Sequence, residues 1–156
     1  MDGNRSVRMD DEPLMKALDR LEECLRAPLS GRAQAWAERV GWGLAETASA
    51  LQQHIATADA RAGPFAPDEL KGPMMPTADQ RVHRLGQDHH SLQEMTQALR
   101  QELQAMAQPF ADGPKINDLL NIRRRVQQLI SDIRRHKEDE TILLLENVNM
   151  DIGVGD

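Results

Sequence analysis

The sequence predicts an all-α, up-down-up-down antiparallel four-helix bundle, and three observations carry that prediction. Strong helix formers dominate the 156 residues, with two Phe, two Trp and no Tyr, and β-branched or aromatic runs are nearly absent. Four segments carry apolar residues at alternating steps of three and four, the period of one helix face. Breaks bearing Pro and Gly separate those segments, and long helices joined by short loops pack antiparallel.

Residues 1–10 are polar and read as a disordered N-terminal segment, 11–146 as the bundle domain and 147–156 as a C-terminal tail without periodicity. Asp11 ahead of Pro13 reads as the opening of the first helix. Leu14, Leu18, Leu21 and Leu25 keep one of its faces apolar until the turn Pro28-Leu29-Ser30-Gly31. The second helix is expected from Arg32 to Arg61, with an inner row of Trp36, Val40, Thr47, Leu51, His54 and Ala58. Ala62 to Pro76 is the longest connection and is expected to cross the outside of the domain. Thr77-Ala78-Asp79-Gln80 matches a capping box and opens a third helix that reaches Ala107. After the break from Pro109 to Pro114, a fourth helix runs from Lys115 to Glu146.

Composition narrows the function classes. A net charge of −6 argues against a nucleic-acid partner, which would call for a basic face. Arg123-Arg124-Arg125 and Arg134-Arg135 wrap around a helix among acidic neighbours and read as solvated surface. Cys24 is the single cysteine, so neither a disulfide framework nor a cysteine zinc motif is available. No uninterrupted apolar run reaches the ~18 residues of a membrane span, and the N-terminus has no apolar leader. The expectation is a cytoplasmic protein without a membrane partner. The methionines and both tryptophans read as packing residues.

The histidines are the informative polar residues. Successive residues on a helix lie about 100° apart, so the neighbours His89 and His90 cannot share a face. His89 falls in the apolar row Val82, Leu85, His89, Leu92, Thr96, Leu99, Leu103 and Met106. His90 falls outside it, with His83 one heptad earlier and Glu94 one turn later on a polar face. The fourth helix has the row Leu119, Ile122, Val126, Leu129, Ile133, His136, Glu140 and Leu143, which sets a histidine and a glutamate at consecutive core positions. Lys137, Glu138 and Asp139 are expected to point elsewhere. His54 lies eighteen residues, five turns, from Trp36 on the inner row of the second helix, with Asp59 at the edge of that stripe.

Three helices thus each aim one imidazole inward, and one adds a carboxylate. Convergent imidazole and carboxylate groups are a usual way to build an iron or zinc site inside a bundle. The bland alternative is that each group finds an ordinary hydrogen-bond partner in the core.

The pattern resembles the hemerythrin-like, or HHE cation-binding, family. Asp88-His89-x-x-Leu92 matches that family's helix-three motif, His136-x3-Glu140 its helix-four motif, and His54 its helix-two histidine. The resemblance spans Leu14 to Glu146. It implies a non-haem iron centre, mononuclear or dinuclear, with zinc as a further candidate and a small diatomic ligand. The implied ligands are His54, His89, His136 and Glu140, with Asp59 standing for the helix-two carboxylate. Two departures are visible: Leu18 stands where the helix-one histidine belongs, and Ala58 stands four residues after His54. They keep open a metal-free bundle with a structural or interaction role, with a homodimer as one form. A binding rather than an enzymatic role is expected. A phosphotransfer role for His90 is disfavoured because Glu94 would repel a phosphoryl group.

Overall fold

In the computed structural model the chain forms four helices, α1 (Gly3–Arg26), α2 (Ala33–Asp59), α3 (Pro76–Met106) and α4 (Ile116–Val154). The structure describes the backbone of residues 3–59, 76–108 and 113–154, and the side chains of residues 13–58, 80–108 and 113–146. The helices pack on one another as an all-α four-helix bundle, without a strand among the described residues.

Cross-helix pairs give the directions. On α3 and α4, Glu102 meets Arg125, His89 meets Glu140 and Arg81 meets Glu146, so numbers fall on one helix as they rise on the other. On α2 and α3, Gln34 donates to the Ala107 carbonyl at 3.1 Å at one end, and the rings of His54 and His89 meet at the other. Arg20 on α1 pairs with Glu46 on α2 at 3.1 Å, and Arg134 on α4 bridges to Asp19 and Glu22 on α1. The order around the bundle is therefore α1, α2, α3, α4, each antiparallel to the next. Arg125 and Arg134 spend their charge on surface carboxylates, as expected for a solvated face.

The turn between α1 and α2 depends on Gly31, whose φ of 75° lies in the left-handed region that a Cβ disfavours. The Arg32 N–H closes this turn by donating to the Leu29 carbonyl at 3.2 Å. Gly43 has a different use. A Cβ there would sit 3.0 Å from Leu21 Cδ1 and 3.5 Å from Leu21 Cα, so its absence lets α1 and α2 cross closely.

The apolar rows read from the sequence form the core. Leu14, Leu18, Leu21 and Leu25 of α1 are buried, as are Trp36, Val40 and Leu51 of α2, Leu92, Leu99 and Leu103 of α3, and the α4 row from Leu119 to Ile133. Each large aliphatic side chain so buried contributes roughly 1.5–3 kcal/mol. Leu44 also belongs to the α2 row, filling the gap between Val40 and Thr47. The hydroxyls of Thr47 and Thr96 reach the buried interior without cost in lost hydrogen bonds. They donate to the carbonyls one turn earlier, Gly43 at 2.8 Å and Leu92 at 2.7 Å.

Four details depart from the sequence reading. α1 starts at Gly3 rather than near Asp11, which places Pro13 inside it, and α4 continues past Glu146 to Val154. An apolar stripe marks where a helix touches the core, not where its hydrogen-bond ladder ends. α3 opens at Pro76, one residue before the expected Thr77. Trp42 is not a packing residue: it is 77% exposed. Six positions from buried Trp36, it lies about 120° around α2 from that residue. The crossing expected for Ala62 to Pro76 lies outside the described residues, apart from Pro76 itself. No helix among the described residues is long and apolar enough to cross a membrane.

Candidate metal centre

Within the core, one layer is polar. α2 places His54 between Leu51 and Ala58, α3 places His89 between Leu85 and Leu92, and α4 places His136 and Glu140 between Ile133 and Leu143. On one side lies the main hydrophobic core, which includes Leu51, Leu92 and Ile133. On the other lies a smaller apolar cluster of Ala58, Leu85 and Leu143. Hydrocarbon therefore closes the layer from both ends, and the four groups are buried, Glu140 at 2% exposure.

Glu140 is the centre of this layer. Its Oε1 lies 2.8 Å from His89 Nε2 and 3.0 Å from His54 Nε2, and His136 Nε2 is also in contact with it. His54 Nε2 is in addition 2.9 Å from Oε2. The rings gather around the carboxylate with centroid separations of 4.6 Å for His89 and His136, 5.7 Å for His54 and His89, and 6.4 Å for His54 and His136. The rings meet edge to face, and each turns its Nε2 toward Glu140.

Burial alone would push the Glu140 carboxyl up, but the hydrogen bonds with His136, His54 and His89 outweigh it and hold the group well below the usual carboxylate range. Glu140 is therefore an anion inside the core. A buried anion persists only when it is paired or coordinates a metal.

The donor set suits a divalent metal. One atom from each of His54, His89, His136 and Glu140 can be chosen so that all lie within 4.8 Å of one another. Bonds of about 2.0–2.2 Å to imidazole and carboxylate would place neighbouring donors roughly 3–3.5 Å apart, the scale of the observed Nε2 to Oε1 distances. The buried His3Glu group could hold a metal ion. Its chemistry of imidazole and carboxylate is compatible with iron or zinc and does not choose between them.

Two further residues touch the group. Lys137 is buried, and its Nζ donates to Glu140 Oε2 at 3.1 Å. This corrects the expectation that Lys137 points away from the core. The seam argument follows Cα positions, whereas a lysine can carry its charge several ångströms along its own helix to a partner three residues on. Asp88 Oδ2 lies 3.5 Å from His136 Nδ1. A carboxylate on that side favours the orientation that turns Nε2 toward Glu140.

The other candidates separate cleanly. Asp59 closes α2, and its side chain lies outside the described residues. His90 is on the surface with Glu94, Nε2 to Oε1 3.1 Å, and both side chains are more than two-thirds exposed. His83 is exposed as well and pairs with Gln87. On α1, Leu18 is fully buried, and from Pro13 onward this helix sends no buried polar side chain into the core.

No protein-family model, curated protein or solved structure matches the chain. Functional assignment therefore rests on this geometry.

Proposed function

We propose that the protein is a non-haem metal-binding bundle of hemerythrin-like type, with His54, His89, His136 and Glu140 as ligands. One observation carries this reading: three imidazole Nε2 atoms from three helices converge on a single buried carboxylate. When bound, an iron ion would supply a site for a small diatomic ligand such as O2, which fits a binding or sensing role better than catalysis. The protein's part is to hold the ion away from water between two apolar clusters and to fix the ligand orientations. Asp59 remains a candidate fifth ligand. The acidic net charge supports a role without nucleic acid, and Trp42 offers a surface on which a homodimer could form.

A metal-free bundle is the second reading, and Lys137 is the observation that favours it. Its ammonium gives Glu140 a cationic partner without any metal.

Metal analysis of protein purified from iron- and zinc-supplemented, reducing medium separates the two. The expected result is bound metal in the native chain, at least a tenfold loss of affinity in His136→Ala, and native content in His90→Ala. No bound iron or zinc in a folded native protein would refute the metal-binding reading.

A further inference from the structure

The two oxygens of Glu140 have different surroundings. Oε1 faces Nε2 of His54, His89 and His136, whereas Oε2 takes the Lys137 ammonium at 3.1 Å and has His54 as a second neighbour. A carboxylate that joins two metal ions uses both oxygens, one to each ion. Here the outer oxygen already has a cation, covalently tethered one turn earlier on the same helix and itself buried. The donor supply points the same way. Among the described residues, the buried set around the centre comprises three imidazoles and one carboxylate, and from Pro13 onward the buried residues of α1 are leucine and alanine. That set supplies donors for one ion, and the described residues hold no second set.

We propose that Lys137 is a built-in substitute for a second metal ion, holding Glu140 to coordination through Oε1 and restricting the centre to one divalent ion per chain. The inference rests on the metal-binding reading and goes further by fixing the nuclearity and naming the residue that sets it. Lys137 is a positioning residue: it touches Glu140 rather than the ion. In the empty protein its charge satisfies the carboxylate, so the layer stays assembled while the ion comes and goes. In the loaded protein the same charge opposes the incoming cation, so the lysine lowers affinity while it limits stoichiometry.

The test uses cobalt(II) alone as probe, added to the full chain and to Lys137→Met and Lys137→Gln, with folding checked by circular dichroism. Bound cobalt is counted by elemental analysis, and its visible absorption reports the coordination environment. The native chain is expected to bind one cobalt per chain. Both variants are expected to bind roughly tenfold more tightly, with an altered visible band as Oε2 becomes available to the ion. Two cobalt ions per native chain would overturn this inference while leaving the metal-binding reading intact. So would native affinity and an unchanged spectrum in whichever variants fold. A folded native chain that binds no cobalt would overturn both.

Discussion

Replacing Glu140 by Gln is expected to lower stability by about 3–5 kcal/mol and to abolish tight metal binding. Glutamine keeps the size of the side chain, so the effect isolates charge. In the native protein one carboxylate accepts from, or pairs with, His54, His89, His136 and Lys137 at once. The amide can accept through one oxygen only, and its NH2 would face groups that are themselves donors. Denaturant unfolding of the metal-free proteins at pH 7 measures the difference. The pH dependence supplies an internal check. The Glu140 carboxyl is held below its ordinary value of 4.5, so its stabilisation is fully present above that pH and is lost progressively as the pH falls beneath it. The gap between native and Glu140→Gln proteins should close in acid. A gap under ~1 kcal/mol at pH 7 would mean that Glu140 is not the electrostatic centre of the layer.

The second large effect is expected from the metal itself. An ion that binds only the folded chain stabilises it by about 4 kcal/mol when present at a thousand times its Kd. For a chain of this size that corresponds to a rise in Tm of roughly 8–16 °C. A chelator should reverse it. Protons compete with the ion for its ligands, so the rise should shrink as the pH falls. Differential scanning calorimetry with and without iron(II) or zinc, at pH 7.5 and pH 5.5, reads both effects. A Tm that ignores metal at pH 7.5 would favour the metal-free bundle, with Lys137 and the histidines as the permanent partners of Glu140.

Much of this architecture was legible in the chain because one physical signal recurs in it. Helical period decided which side of α3 each member of the His89-His90 doublet takes, and the structure buries the first and exposes the second. The same phase brought His54, His136 and Glu140 inward from two other helices. Where period carries no information, the reading failed. Lys137 is out of phase with the seam and still reaches it, because its charge sits at the end of a long flexible stem. Trp42 looks like core by composition, yet its phase relative to Trp36 puts it outside. The ends of α1 and α4 extend beyond the apolar stripe because a helix's hydrogen-bond ladder does not need an apolar face to continue. The position of Leu18 was readable, and its full burial fits the leucine face that α1 turns to the core from Pro13 onward.

The leucine face of α1 has a kinetic consequence. α1 and α2 are joined by a short turn and cross closely at Gly43, so their pairing needs only local chain closure. The polar layer instead joins residues 51 apart in His89 and Glu140, and 86 apart in His54 and Glu140. Contacts of high sequence separation form late, after the loop entropy has been spent. An ion that clasps α2, α3 and α4 thus acts after the rate-limiting step of folding. Its expected signature in stopped-flow traces is slower unfolding with an unchanged refolding rate. A refolding rate that climbs with metal concentration would instead place the centre in the nucleus. On the expected course, the ion latches a finished bundle and prolongs its lifetime, leaving the leucine hairpin of α1 and α2 to start the fold without it.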